Sequence, residues 1–256
     1  MGKREYLIAL SLKYEGDYFK ILYAIKNQEV IEGVNIDNCI TILDSNYPKC
    51  FLDLKYPPFV LYYKGNINLL KEENKYSIVG SRKPCNYSLK GVEYVINKDP
   101  GAIYVSGLAL GIDGKVHEYS RTSIGVLGCG IDYVYPIKNK ELFNKLEKNG
   151  LIISEYPENV KPLGFHFPFR NRIIAALSKC VFIMELSERS GTMTTVNEAL
   201  ELGKEIKVLP FPIFVDENIY NNKLINEGAL IIEWYFILSI NNSVFNNFCK
   251  NKIYMF

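Results

Sequence analysis

The fold class is predicted from residues 76–113, which read YSIVGSRKPCNYSLKGVEYVINKDPGAIYVSGLALGID. This stretch opens with a short apolar run that stops at Gly80, continues with helical periodicity over 86–97, and returns to a second apolar run over 102–107. Apolar runs of this length are typical of strands that are buried on both faces. Two such strands joined by a helix predict a βαβ unit with parallel strands.

The same alternation continues on the C-terminal side of this stretch. Further strands are predicted from the runs SIGVLG, LIISE, CVFIMEL, EIKVLP and ALIIE, at 123–128, 151–155, 180–186, 205–210 and 229–233. Helices are predicted between the strands, at 111–121, 138–148, 170–178, 192–203 and 218–227. The alternation predicts an α/β fold that is Rossmann-like, with a mostly parallel sheet and helices on both faces.

Two shorter pieces flank this main domain, which is predicted to span 46–233. Residues 1–45 have the periodicity of a short helical N-terminal segment, and a proline-containing connector with an aromatic, strand-like run at Phe59–Tyr63 follows it. Residues 234–256 form an aromatic-rich C-terminal tail that is too short for a domain of its own.

The composition excludes several classes of protein. With 256 residues, 48% hydrophobic and 23% charged, the chain is neither disordered, collagen-like nor a disulfide miniprotein. A net charge of +2 indicates no bulk attraction for nucleic acid, so any such binding must rest on local charge. The six cysteines form no CxxC pair and predict buried free thiols. With no secretory signal and no long apolar run, the expected location is the cytoplasm, without a membrane partner.

Glycine with serine, threonine or arginine follows several of the predicted strands. The carboxyl ends of parallel strands share one edge of the sheet, where glycine allows close approach and helix N-termini favour anions. An ordinary strand-to-helix turn would explain one such group, but several together favour a phosphate-binding crevice. The candidate residues are Gly80, Ser81, Arg82, Ser106, Gly107, Ser190, Gly191 and Thr192. A Walker loop and a full GxGxxG motif are both absent, so an NTPase or an NAD enzyme is poorly supported.

A second candidate is the segment KPLGFHFPFRNR, residues 161–172. Its aromatic rings could stack on bases while its cations take phosphates, as single-stranded nucleic acid requires. Two arginines near a predicted helix start oppose the macrodipole, which favours a bound anion. The alternative is a loop whose phenylalanines pack on the core. The candidate residues are His166, Phe167, Arg170, Asn171 and Arg172.

The remaining chemically interesting residues predict structural roles. Asp113 and His117, at i and i+4, are expected to be a satisfied structural pair at a helix start, and Glu155 and Glu185 are expected to cap helices or form ion pairs. No catalytic triad or metal cluster is evident from two histidines. No catalytic residue, metal or cofactor is therefore predicted.

Several motifs together resemble the DprA/Smf family of bacterial DNA-processing proteins. They are VGSRKPCNYS (79–88), SGLALGID (106–113), LGCGIDYVYP (127–136), LIISEYP (151–157), FPFRNRIIAALS (167–178), SGTMTTVNEALELGK (190–204) and LINEGA (224–229). The resemblance implies a dimeric, non-enzymatic protein that binds single-stranded DNA, protects it and loads RecA recombinase in natural transformation and homologous recombination. It also implies DNA contacts by the Gly-Ser-Arg loop, the Ser-Gly turn, the FPFRNR segment and the Ser-Gly-Thr loop. The chain departs from the family by lacking its glycines after Pro210.

Two alternatives from other classes stay open at the level of sequence. The run Thr195-Val196-Asn197-Glu198 resembles part of the GTxxE motif of LOG-type nucleoside-monophosphate phosphoribohydrolases, although the preceding Pro-Gly-Gly is missing. In such an enzyme Glu198 would assist cleavage of the N-glycosidic bond. The other alternative is a nucleotide-binding sensor without activity.

Overall fold

The computed structural model describes residues 2–187, 190–212 and 219–232. Its core is one sheet of nine strands in the order β1-β2-β6-β5-β4-β3-β7-β8-β9. The strands are β1 (Cys39–Thr41), β2 (Val60–Gly65), β3 (Lys75–Val79), β4 (Ile103–Ser106), β5 (Ser123–Val126), β6 (Leu151–Ser154), β7 (Cys180–Ile183), β8 (Glu205–Val208) and β9 (Leu230–Ile231). The predicted strands from 76 onwards are confirmed.

Along this order the pairs from β6 to β9 are parallel, and the pairs β1–β2 and β2–β6 are antiparallel. The mostly parallel Rossmann-like sheet is therefore confirmed. The connector run at Phe59–Tyr63 becomes β2, which pairs with both β1 and β6. The sequence did not predict β1, because three residues are too few to show strand periodicity.

The helices cover both faces of this sheet. They are α1 (Lys3–Lys13), α2 (Tyr18–Lys26), α3 (Asn86–Lys98), α4 (Ile112–Tyr119), α5 (Lys140–Asn149), α6 (His166–Leu177), α7 (Thr192–Glu201) and α8 (Ile219–Asn226). Helices α6, α7 and α8 bury apolar side chains against one face, and α1, α3, α4 and α5 do so against the other. The predicted arrangement of helices on both faces is thus confirmed.

Helix α6 starts one turn earlier than the sequence indicated. It begins at His166 rather than at residue 170, although Pro168 lies within it. A proline is tolerated in the first turn, because the backbone N–H it removes would have no partner there. Arg170 and Arg172 consequently lie in the second turn, and the argument that they oppose the macrodipole at the helix start loses most of its force.

The described cysteines are all free thiols. Cys39, Cys129 and Cys180 are buried as expected, and burial raises the pKa of the Cys129 thiol to about 12. The expectation is wrong for Cys85, which is exposed because it precedes α3 at the surface. Among the described residues no helix is long and apolar enough to cross a membrane, and the predicted tail at 234–256 lies outside those residues.

Candidate nucleic-acid interface

The strand order reverses between β3 and β7. From β3 the chain proceeds to β4 on one side, whereas β7 lies beside β3 on the other side. Loops that leave two such strands diverge and open a gap at the carboxyl ends, where α/β proteins bind ligands. Here the gap is a cavity of about 420 Å³ at the ends of β3 and β7, which we call the crevice.

Most of the predicted site residues line the crevice. Those it brings together are Gly80, Ser81, Arg82, Phe167, Arg170, Asn171, Ser190, Gly191 and Thr192. The sequence missed Ala109, Asp113 and Thr195, which also line it. Asp113 and Thr195 had a detectable signal, since each lies within the first turn of a helix that follows a candidate loop.

The Gly-Ser-Arg loop is fixed at both ends. The backbone N–H of Ile112 donates to the Ser81 carbonyl over 3.1 Å. This approach requires Gly111, whose φ of 79° and whose closeness to Arg82 leave no room for a side chain. At the other end, the Glu185 carboxylate accepts from the backbone N–H of Cys85 over 2.9 Å. The loop therefore holds its position before any ligand arrives.

Among the described residues, Arg82 is the cation that the crevice leaves available. Its side chain is exposed, and it forms no ion pair with any described residue. The guanidinium lies over the Phe167 ring, 5.6 Å from the centroid, and this ring in turn packs on Gly128 at the end of β5. A phosphate partner and a flat apolar surface therefore lie side by side at the mouth of the crevice.

Arg170 is a different kind of arginine. It is only 5% exposed, it donates to the Val126 carbonyl, and its charge is opposed by the nearby Asp113 carboxylate. Burial raises the pKa of Asp113, while Arg170 and Ser106 oppose that shift. Much of the Arg170 charge is thus neutralised inside the protein, and we expect it to organise the crevice floor more than to attract a distant anion.

Asn171 connects α6 to the loop that precedes α7. Its side-chain amide donates to the Gly191 carbonyl over 3.1 Å and to the Thr194 hydroxyl over 2.7 Å. Within the same loop the Ser190 hydroxyl accepts from the Thr192 backbone N–H over 3.0 Å. The positive end of the α7 dipole is consequently held against the crevice, where it favours negative charge.

Four predicted residues lie behind the crevice rather than along it. The Ser106 hydroxyl donates to the Ile78 carbonyl, and Gly107 packs against Asp113 and Arg170. His166 is buried, with its ring stacked on Tyr156 at 4.0 Å, and burial lowers its pKa. Arg172 is buried in an ion pair with Glu155. Direct DNA contact by these four residues stays a prediction.

Arg172 forms a buried ion pair with Glu155, with Nη2 and Oε1 2.5 Å apart. It also donates to the backbone carbonyls of Tyr56 and Phe169. We call this cluster, Glu155 and Arg172 with the rings of Tyr18, Tyr56 and Phe169, the seam. Because it joins α6 to α2 and to the connector before β2, Arg172 holds the N-terminal helices on the sheet.

The other residues that the sequence interpreted as structural take such roles. Glu155 forms its ion pair in the seam, and Glu185 accepts hydrogen bonds from the start of α3. His117 pairs with the Ser123 hydroxyl and the Gly107 carbonyl rather than with Asp113, so the predicted pair is wrong in its partner. Burial lowers the pKa of His117 to about 4. Glu198 lies on α7 and is not among the residues that line the crevice.

Fold and crevice together define a doubly wound α/β protein of the Rossmann type, with a switch-point crevice lined by phosphate-compatible groups. The chain belongs to the DNA recombination-mediator protein A family, the DprA/Smf family, whose model matches residues 38–239. It is therefore a member of a family of DNA-processing recombination mediators, as the motifs predicted.

Relatives and solved structures agree with this assignment. The chain is 35% identical to DNA processing protein DprA of Bacillus subtilis over 90% of its length and 78% of that protein. An X-ray structure of DprA from Streptococcus pneumoniae superposes with a TM-score of 0.76 at 31% identity, covering 91% of this chain and 95% of that one. A structure of DNA processing protein A from Helicobacter pylori, solved in a study of its single-stranded DNA binding mode, gives a TM-score of 0.70 at 33% identity over 83% and 96% of the chains.

Proposed function

We propose that this chain binds single-stranded DNA in the crevice and acts without catalysis. The observation that carries the proposal is Arg82, an exposed cation lying over the half-buried Phe167 ring at the mouth of the crevice. A phosphate can pair with the guanidinium while the attached base stacks on the ring, which is the combination that single strands need. The single-stranded DNA binding mode of the Helicobacter pylori relative supports the same conclusion.

In this proposal the crevice residues have different roles in binding the strand. Arg82 and the α7 N-terminus bind phosphate, and the Gly191 backbone lets it approach closely. Gly191 has open space where a side chain would lie. Arg170 and Asn171 hold these groups in place from α6. The residues behind the crevice, Ser106, Gly107, His166 and Arg172, shape it through the framework.

Family membership supports a proposal about the partners. We propose that the chain delivers the bound strand to RecA recombinase, which the family description as a recombination mediator supports, and that it acts as a homodimer in the cytoplasm during DNA uptake and recombination. Sedimentation velocity tests the homodimer. RecA loading is tested by strand exchange on DNA that is already coated with single-strand-binding protein. A chain that stays monomeric, or that leaves strand exchange unchanged, contradicts the corresponding part of the proposal.

Phe167 gives the test of base stacking. Phe167→Ala should weaken binding of labelled oligo-dT by about 1–3 kcal/mol, the contribution of one stacked base, while leaving the salt dependence almost unchanged. Fluorescence anisotropy measures both quantities. Phe165→Ala is the matched control, because Phe165 is 67% exposed and does not line the crevice. Equal affinities of the parent and Phe167→Ala would remove the ring from the proposed site.

A further inference from the structure

An exposed apolar surface leads away from the crevice on the side of β5. It consists of Leu110, Tyr133, Tyr135 and Ile137, which we call the shelf. Their side chains are 38%, 37%, 42% and 68% exposed, respectively. Tyr133, Tyr135 and Ile137 belong to the loop between β5 and α5, and Leu110 precedes α4. A group of large apolar side chains this exposed is unusual for a surface without a partner.

The shelf is continuous with the crevice. A small pocket between them is lined by Arg82, Phe167 and Arg170 on the crevice side and by Leu110 and Tyr135 on the shelf side. The Tyr135 and Phe167 rings lie 5.8 Å apart between centroids, with an angle of 35° between their planes. A chain that passes over Phe167 therefore meets Tyr135 as the next ring.

The loop that carries the shelf is held in place. The Asn139 side-chain amide donates to the Leu108 and Ala109 carbonyls over 2.9 and 3.0 Å, which ties this loop to the one before α4. The Tyr133 backbone N–H donates to the Gly130 carbonyl. A loop that is already fixed loses little conformational entropy when a strand binds to it.

The charges around the shelf suit a polyanion. Lys138 borders it and forms no ion pair with a described residue, and Arg82 lies at its crevice end. Within the described part of the chain one carboxylate lines it, Asp132, which accepts from the Asn159 backbone N–H over 2.8 Å. Two cations thus flank a row of rings, with the opposing carboxylate held by a backbone donor.

We propose that the shelf is a second stacking platform, on which Tyr135 and Tyr133 receive bases of the same strand beyond Phe167. The inference rests on the proposed function, because it needs a strand in the crevice. In this proposal the loop between β5 and α5 lengthens the stretch of strand that one protein molecule binds.

The test compares a mononucleotide with a long strand. Labelled thymidine monophosphate, which has a single base, occupies the crevice alone, whereas an oligo-dT of about 15 nucleotides also reaches the shelf. Tyr135→Ala should weaken binding of the long strand by roughly 5- to 150-fold, the loss of one stacked base, and should leave the mononucleotide unaffected. Tyr135→Phe should bind both like the parent, since stacking needs the ring and not the hydroxyl.

Tyr119→Ala is the matched control. Tyr119 is 39% exposed, close to the 42% of Tyr135, but it lies at the far end of α4. Unchanged binding of the long strand by Tyr135→Ala, together with a loss in Arg82→Ala, overturns the platform and leaves the proposed function standing. Loss of the long strand in Tyr135→Phe as well would overturn stacking as the interaction.

Two further results distinguish the remaining explanations. If the parent binds neither the mononucleotide nor the oligo-dT, the proposed function itself fails and the platform with it. If Tyr135→Ala changes the sedimentation coefficient of the DNA-free protein, the shelf is a contact between protein molecules, and the platform is overturned. Circular dichroism and thermal unfolding verify that each variant is folded, so that a loss of binding reports on the site.

Discussion

The crevice and the seam use the same segment of chain in opposite ways. Arg170 and Arg172 lie two residues apart on α6, and at i and i+2 two helical side chains point in different directions. Arg170 lines the crevice, whereas Arg172 enters the seam and pairs with Glu155. The FPFRNR segment therefore joins a ligand site to the packing of the N-terminal helices, and its two arginines serve different purposes.

The two regions also differ in what they leave without a partner. At the crevice mouth the group without an ion pair is a cation, Arg82, which is exposed and ready for a ligand. In the seam it is an acceptor: the Glu155 Oε2 atom has no hydrogen-bond partner among the described residues and is buried. The exposed, unpaired Arg82 costs little free energy in the absence of ligand. The buried, unpaired Glu155 oxygen is costly, so substitutions in the seam are expected to lower the stability of the fold strongly.

The largest expected effect is on the seam. Arg172→Met should lower the free energy of unfolding by about 3–5 kcal/mol, because it leaves the Glu155 carboxylate buried without its partner. Urea unfolding measures the change. The double variant Glu155→Gln/Arg172→Met removes both charges and should recover part of the loss. A stability of Arg172→Met equal to that of the parent would show that the ion pair does not hold the N-terminal helices.

The next effect is on the pH dependence of the free energy of unfolding. It concerns His117, which lies on the buried side of the crevice wall. Its pKa of about 4 lies below the ordinary value of 6.5, because burial favours the neutral ring. The folded state therefore binds this proton more weakly than the unfolded state does. The stabilisation is present above pH 6.5 and is lost as pH falls towards 4, by on the order of 3 kcal/mol.

The variant His117→Gln isolates this contribution. Asp113 and Glu155 have raised pKa values, so their titration opposes that of His117 over the acid range. The difference between parent and variant in urea unfolding at several pH values cancels the carboxylates. We expect a shallower fall from pH 6.5 to 4 in His117→Gln. Parallel curves for the two proteins would contradict the assignment of a buried neutral histidine.

The smallest expected effect is at Glu198, where a substitution should not change DNA binding. This half-buried residue lies on α7 outside the crevice lining, and burial raises its pKa. Glu198→Ala should therefore leave the affinity for oligo-dT unchanged, and neither protein should release adenine from AMP. Chromatography of the reaction mixture gives the readout. Adenine release by the parent above the level of Glu198→Ala would favour a phosphoribohydrolase and contradict a role restricted to binding.

The fold was largely predictable, because each strand from β3 onward is a short apolar run with glycine, serine or proline close to its end. Local periodicity determines such elements. The two antiparallel-paired strands β1 and β2 were harder to predict: Cys39–Thr41 is too short, and the run at Phe59–Tyr63 lies within a proline-containing connector. Their pairing depends on contacts between distant parts of the chain, which a local pattern does not contain.

The candidate site was predictable in its loops and in the FPFRNR segment, from which Phe167, Arg170 and Asn171 line the crevice. Glycine with serine or threonine after a strand marked Gly80, Ser81, Gly191 and Thr192 correctly as crevice residues. The difference between Arg170 and Arg172 was not predictable, because it depends on where α6 begins and on the position of Glu155. Tyr135 was missed for a similar reason, since only the packing of its loop brings it beside Phe167.

The most direct test of the crevice as the DNA-binding site compares two variants that lose the same charge. Arg82→Ala removes the cation at the crevice mouth, and Lys148→Ala removes an exposed cation near the C-terminal end of α5, before β6 begins. Anisotropy of labelled oligo-dT is measured at about 50 mM and about 200 mM salt. We predict that Arg82→Ala weakens binding by about 1–3 kcal/mol and reduces the salt slope by about 1, while Lys148→Ala matches the parent. Equal losses in the two variants would mean that bulk charge, and not the crevice, binds the strand.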